Sequence, residues 1–320
     1  MRDLIAFLLV LVHMLVAAAV AAPSSLEIED PSVNIFFEGV DQNWSEQSAE
    51  FEVRAAASAP AGEGFSIHQI QQAEYGALPY TTEAEFDALR GEVVPVARGA
   101  RTISGGALQK RVVGWHPYWM GTTYQRYDYS KLSTIAYFSY EVNSTNGSYV
   151  SLRSWDTTPL ISWAHSNHVS VVLSVTCFGS ANCQRLLTNS ASCQNLINTL
   201  ATVVSNRNGD GVNIDFESVG STMKPYLTAF MSNLTARFHR DLPGSEISIC
   251  LPAVDWSSVF DVGAFNGFLD YALIMGYDYY WRGSTTAGPV APLSASSTWG
   301  AYCVEKSIDD YLARGLSASK

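Results

Sequence analysis

Six runs rich in β-branched and aromatic residues follow one another from Arg111 to Trp281, and helix-patterned segments separate most of them. The runs are RVVGWHPYW (111–119), LSTIAYFSYEV (132–142), VSVVLSVTCF (169–178), GVNIDFE (211–217), ISICLPAVDW (247–256) and YALIMGYDYYW (271–281). Between them lie TPLISWAHSNH, CQNLINTLATVVSNRNG and MKPYLTAFMSNLTARFHRDL. In the second of these, Leu196, Leu200, Val203 and Val204 recur at the i, i+4, i+7, i+8 spacing of an amphipathic helix. Apolar strands alternating with helices imply a parallel sheet covered by helices.

Two architectures satisfy that pattern. A doubly wound nucleotide binder needs a Gly-rich turn after its first strand. GWHPYWMG (114–121) is not such a turn, and no phosphate-binding G-x-x-x-x-G-K-[ST] occurs anywhere. A barrel instead gathers polar residues at the C-terminal ends of its strands. Asp215, Glu217, Asp255, Tyr277 and Asp278 all sit near strand ends. The expected fold is therefore α/β, a (β/α)8 TIM-type barrel. Residues 111–320 supply about six βα units where the whole barrel needs about 250 residues. SIDDYLARGLSASK reads as the helix after strand six, so the barrel is expected to be incomplete, lacking strands seven and eight.

The segment before Arg111 has another character. MRDLIAFLLVLVHMLVAAAVAAPSS has a charged start, an apolar run from Leu4 to Val16 and small residues at its end, which reads as a secretory signal peptide over residues 1–22. The expected location is extracellular, with no stable membrane association once the signal is removed. Four N-x-S/T sequons, at Asn43, Asn143, Asn146 and Asn233, fit secretion. Residues 23–110 read as a small N-terminal module or propeptide with a Gly/Ser/Ala-rich linker. Within it VNIFFEGV and AEFEVRAA are strand-like. TTEAEFDALRG reads as a short helix begun by Thr82, with Glu83 and Glu85 in its first turn.

Net charge is −11 and no Lys/Arg cluster is present, which excludes a phosphate-tracking surface and makes nucleic acid a poor partner. A neutral polymer or small molecule fits better. Five cysteines contain no C-x-x-C pair. Cys177, Cys183 and Cys193 crowd one region and suggest a local disulfide, while Cys250 lies in an apolar strand. His165 and His168 have metal-like spacing on a helix but no third ligand, and read as a solvated helix end. Neither a metal nor a cofactor is expected, and the chain reads as a monomer.

The stretch DGVNIDFE (210–217) carries the chemistry. Side chains alternate along a strand, so Asn213, Asp215 and Glu217 share one face, while Val212, Ile214 and Phe216 turn toward the helices. In a barrel the polar set points into the lumen, where carboxylates lose hydration and must be paired or functional. A rise of about 3.3 Å per residue puts the Cα atoms of Asp215 and Glu217 roughly 6.6 Å apart, close enough for the carboxyl groups to share a proton or hydrogen bond. One pKa of such a pair rises, which suits a general acid. Two carboxylates on one strand cannot straddle a sugar ring as an ordinary retaining pair does. The nucleophile of a glycosidase built this way would come from the substrate, as an N-acetyl group at C2 can provide.

DGVNIDFE resembles the D-x-x-D-x-D-x-E signature of glycoside hydrolase family 18, the chitinase-like barrels. Asp210, Asp215 and Glu217 match, Gly211 falls within the motif, and Asn213 stands where the family has its middle Asp. MGYD (275–278) resembles the family's M-x-Y-D on strand six, and VTCFGS loosely resembles the S-x-G-G region after strand three. The resemblance covers residues 111–320. It implies that Glu217 protonates the glycosidic oxygen and then serves as base toward water. Asp215 would hold the N-acetyl group, Asn213 would orient Asp215, and Tyr277 would bond the acetyl oxygen. Asp278 and Met275 would contribute to the sugar subsite, and Trp115, Tyr118, Trp119 and Trp281 are candidates to stack on sugar faces. The implied function is a secreted hydrolase of β-1,4-linked N-acetylglucosamine polymers, with an oligosaccharide or polysaccharide as partner. The alternatives are a non-catalytic chito-oligosaccharide-binding protein, and an N-acetylglucosaminidase acting on peptidoglycan or N-glycans.

Overall fold

The polypeptide pattern produces a curled parallel sheet with helices on its outer face. The computed structural model describes residues 66–91, 108–281 and 284–320. The chain order is α1 (Ile67–Gly76), α2 (Glu83–Leu89), β1 (Val113–Pro117), a kinked 3-10 segment (Tyr118–Arg126), β2 (Thr134–Val142), β3 (Tyr149–Ser151) and α3 (Leu160–Ser166). It continues with β4 (Ser170–Phe178), α4 (Ser180–Leu187), α5 (Ser190–Ser205), β5 (Gly211–Glu217), α6 (Lys224–Asp241), β6 (Glu246–Pro252), α7 (Val262–Phe265), β7 (Tyr271–Met275) and α8 (Val304–Ala313).

The sheet order is β1-β2-β4-β5-β6-β7, all parallel, with β3 added antiparallel on β2. Six parallel strands in sequence order make an incomplete barrel, and β1 and β7 do not pair with each other. Beside β7, the amide of Ala272 donates to the carbonyl of Lys320 at 2.8 Å. The outer faces of the strands pack on helices as their apolar residues dictate. Phe216 of β5 stacks on Phe230 of α6 with ring centroids 5.6 Å apart. Leu196, Leu200 and Val204 of α5 are fully buried. Among the described residues no helix is long and apolar enough to cross a membrane.

Strand bounds differ from the sequence reading mainly at the C-terminal ends. Tyr118 and Trp119 leave β1 for the 3-10 segment, β6 stops at Pro252 before Asp255, and β7 stops at Met275 before Tyr277 and Asp278. Proline at positions 117 and 252 supplies no donor to a ladder, which favours ending a strand there. α2 forms as its capping pattern requires. Thr82 accepts from the Glu85 amide, and Glu85 returns a bond to the Thr82 amide.

The described part of the N-terminal region is not a separate body. The described residues fall in one compact unit, so α1 and α2 belong with the sheet. Asp87 accepts from the Thr122 amide and hydroxyl, and Arg90 donates to the carbonyls of Trp119 and Met120. These polar contacts and the buried Phe86 tie residues 82–91 to the segment after β1. The signal peptide, the strand-like runs 33–40 and 49–56 and Asn43 lie outside the described residues.

The suggested disulfide does not form. All five cysteines are free thiols. Cys183 directs its sulfur at the Cys177 carbonyl, 3.2 Å away, and Cys193 directs its own at the Leu186 carbonyl, 3.4 Å away.

Candidate active site

β5 runs between β4 and β6, and its register builds layers across the lumen. Asn213 lies beside Ser174 and Ser248, Asp215 beside Thr176, and Glu217 beside Phe178. Gly211 begins the strand at φ 147°, and a Cβ there would come within 1.9 Å of the Glu246 carbonyl oxygen. Glycine is what lets β5 and β6 approach closely enough to set this register. The residue after Glu217, Ser218, has φ 59°, and so does Asp278 after Tyr277. The chain thus turns away immediately beyond each of these side chains.

Asn213 is fully buried, Asp215 is 1% exposed and Glu217 is 9% exposed, so the three climb from the interior to the mouth. Asn213 does not orient Asp215. Its Oδ1 accepts from Ser174 Oγ at 3.1 Å and from Trp115 Nε1 at 3.3 Å, and its Nδ2 donates to Ser248 Oγ at 3.0 Å. The bonds this amide makes run sideways to serines of β4 and β6 and to a tryptophan of β1, so it braces the strands below the carboxylates.

Asp215 and Glu217 point the same way, and one oxygen of each lies within 4.8 Å of the other. They meet through a third residue that sequence reasoning missed. His68 of α1 places Nδ1 2.9 Å from Glu217 Oε1 and 3.3 Å from Asp215 Oδ2. Its Nε2 lies 2.9 Å from the Tyr277 hydroxyl. The Asp215 contact is an ion-pair approach without hydrogen-bond alignment, and neither Asp215 oxygen has an aligned donor.

These environments set the protonation states. Burial disfavours the charged His68 ring, but the two close carboxylates of Asp215 and Glu217 outweigh it and push its pKa up to about 10. The ring is then a cation with both nitrogens donating. Burial raises the Glu217 pKa, the His68 hydrogen bond pulls it back, and the Asp215 charge raises it again; the net direction is upward. Burial also raises the Tyr277 phenol well above its ordinary value, so it stays a neutral donor. Asp278 is raised by burial, with His68 opposing. His68, Asp215 and Glu217 also have the donor types of a divalent-metal site.

A cavity of about 720 Å³ opens over this cluster, lined by Glu217, Met275, Tyr277, Asp278, Trp281 and the half-exposed end of α1. Trp256, at 76% exposure, and Tyr302 form its outer wall and touch edge to face at 5.2 Å. The remaining sequence candidates divide. Trp281 is exposed at the cavity rim. Trp115 is partly exposed and tied to Asn213. Tyr118 and Trp119 are 4% and 7% exposed and offer no free ring face to a ligand. Tyr118 packs edge-on against Phe86 and lies under the Arg153 guanidinium, and Trp119 is stacked by Tyr75. Asp210 and Gly211 sit at the opposite end of β5. Asp210 accepts from the Val171 amide at 2.6 Å and pairs with His165 at 2.7 Å, so His165 is a structural partner and not a solvated helix end.

Residues 111–320 match the family model of the glycosyl hydrolases family 18. The chain belongs to this family. A curated relative is YdhD of Bacillus subtilis (strain 168), whose name describes a sporulation-specific glycosylase; it is 32% identical over 122 residues, 37% of this chain and 28% of that protein. The family 18 fold is also seen in the Group IV chitinase of Ostrinia furnacalis, solved with allosamidin, at TM-score 0.58 and 19% identity over 65% of this chain and 63% of that one. TsES1, a chitinase of Trichuris suis, gives TM-score 0.59 and 19% identity over the same shares. The chain spans under a third of the curated relative and under two thirds of these solved structures.

Proposed function

We propose that this family 18 chain belongs to a secreted glycosidase that cleaves β-1,4-linked N-acetylglucosamine polymers of the chitin type by substrate-assisted retention. The observation that carries the reading is the pair Asp215–Glu217. Both carboxylates rise from the same face of one strand and lie within 4.8 Å of each other, Glu217 lining the cavity and Asp215 buried beneath it. A pair on one strand approaches a sugar from one side, so the second face must be attacked from within the substrate.

Glu217, with its raised pKa, keeps a proton into a range where an ordinary carboxyl has lost it, and donates it to the departing glycosidic oxygen. The acetamide oxygen at C2 attacks the anomeric carbon as that bond breaks. Asp215, buried beneath Glu217 and without aligned donors, would accept the acetamide N–H and offset the positive charge on the oxazolinium ion. Tyr277 donates a hydrogen bond from its phenol to the acetamide oxygen and keeps its proton. Glu217, now a carboxylate, takes a proton from the incoming water, and the product keeps the β configuration. Asp278, Met275 and Trp281 line the cavity where the sugar binds.

The experiment is hydrolysis of N-acetylchito-oligosaccharides with the anomer of the first product read by NMR. A β-anomer that disappears in Glu217→Gln supports the mechanism, and an α-anomer excludes it. Parallel assays on peptidoglycan and N-glycan substrates identify the polymer.

A further inference from the structure

Helix α1 carries His68, Gln72 and Tyr75 at the i, i+4 and i+7 positions, which places them on one helical face. Each meets a different part of the groove at the mouth of the sheet. His68 stands between Glu217, Asp215 and Tyr277. Gln72 Oε1 accepts from Thr176 Oγ1 at 2.8 Å and from Ser139 Oγ at 3.4 Å, and Thr176 is the β4 neighbour of Asp215. Tyr75 lies flat on Trp119, with centroids 4.5 Å apart and planes 6° from parallel.

A ring, a carboxamide and a second ring thus occupy successive positions along the groove. Those are the chemistries an N-acetylated sugar chain would present: a polar group at the acid, an amide among hydroxyls and a flat face on an indole. The helix also divides the groove. The 720 Å³ cavity has Ser66, His68 and Ile70 in its wall on one side. A second cavity of about 350 Å³ has Gln69, Gln72, Ala73 and Gly76 in its wall on the other.

The helix is held by polar contacts and by rings at its end, since none of its ten residues is fully buried. A helix this short has little stability of its own, so what keeps it folded is the groove. The contrast with α2 is direct: there Phe86 and Asp87 are buried.

We propose that α1 is an internal occupant of the sugar groove, holding the acid Glu217 and its helper Asp215 inactive until the helix is displaced. The inference rests on the reading of the groove as a sugar site. With α1 seated, the Glu217 oxygen that would face the glycosidic oxygen faces His68, and the Tyr277 hydroxyl is engaged. Ligand and helix compete for one volume, so apparent affinity falls by the fraction of molecules whose groove is open. The charged groups that face His68 come from β5 (Asp215, Glu217) and from the segment after β7 (Tyr277, Asp278).

The test compares the full chain with the variant His68→Ala/Gln72→Ala/Tyr75→Ala. Tetra-N-acetylchitotetraose binding is measured by calorimetry and turnover is followed on the same ligand, with circular dichroism checking that both proteins are folded. A groove occupied nine times in ten predicts about a tenfold gain in affinity for the variant. Turnover rises with it if the sugar reading is also correct, and affinity alone rises if the site binds without cleaving. Equal binding in both proteins overturns the occupancy and leaves any turnover they share as support for the glycosidase reading. Weaker binding in the variant makes His68 part of the sugar site and overturns it as well. Should EDTA raise the affinity of the unmodified chain, a divalent metal and not a direct contact joins His68 to the carboxylates, and the proposal fails.

Discussion

The two ends of the sheet use the same residue types for opposite purposes. At the N-terminal end, each carboxylate is satisfied by the frame. Asp210 takes the Val171 amide and His165, Asp270 takes the Ile247 amide and His239, and Glu246 takes Arg111, Thr134 and Tyr271. At the C-terminal end, Asp215 has no aligned donor among the described residues and the Glu217 carboxylate bonds to His68, on a helix that arrives from far away in the chain. A buried carboxylate left short of donors costs stability, so its retention marks chemistry, whereas a carboxylate that closes a neighbouring strand's open amide contributes stability. Asp210 and Glu217 belong to the same eight-residue motif and fall on either side of that divide.

The comparison can be broken most sharply at its upper end. Glu217→Gln is expected to lower kcat on chito-oligosaccharides by about 10³, within the range for a lost general acid–base group, with little change in the urea midpoint. An equal loss of stability would make Glu217 part of the frame. At the lower end, Asp210→Ala leaves the buried Val171 amide without an acceptor. The expected cost is about 1–3 kcal/mol in denaturant unfolding, with turnover per folded molecule unchanged. A drop in kcat without a stability loss would reverse that assignment. Tyr277→Phe removes one donor to the acetamide oxygen, and about a tenfold fall in kcat/KM is expected, near 1.4 kcal/mol of transition-state stabilisation.

The smallest effect is a displacement in pH. Glu217 must carry its proton to act, and burial raises its pKa, so the alkaline limb of kcat/KM should lie above the ordinary carboxylate range. His68 stabilises the Glu217 carboxylate and lowers that pKa. His68→Ala should therefore move the limb to higher pH, and an unchanged limb would mean that His68 does not bond to Glu217 in solution.

Much of this was legible because it is periodic. Two-residue alternation fixed which side of β5 faces the lumen, and the strand runs from Gly211 to Glu217 as its pattern required. The capping box at Thr82 and Glu85 marked α2 for the same reason: it is a local rule with a local partner. Partners across the fold were not legible. Alternation gives Asn213 a face but does not say whether its amide meets Asp215 or the serines of β4 and β6. Tyr118 and Trp119 read as rim aromatics because the N-terminal helices that cover them lie outside the periodic region. His68 approaches Glu217 across 149 positions, and nothing in its neighbourhood distinguishes it from any helical histidine.

The left-handed turns at Ser218 and Asp278 have a consequence for engineering. Such a backbone costs an L-residue other than glycine about 1–2 kcal/mol, less for Asp and Asn, and here the cost falls directly behind Glu217 and Tyr277. Glycine at either place would relieve the crowding and toughen the fold. It would also let Glu217 or Tyr277 swing, so thermostabilised versions selected for melting temperature alone should lose their aim before they lose their shape.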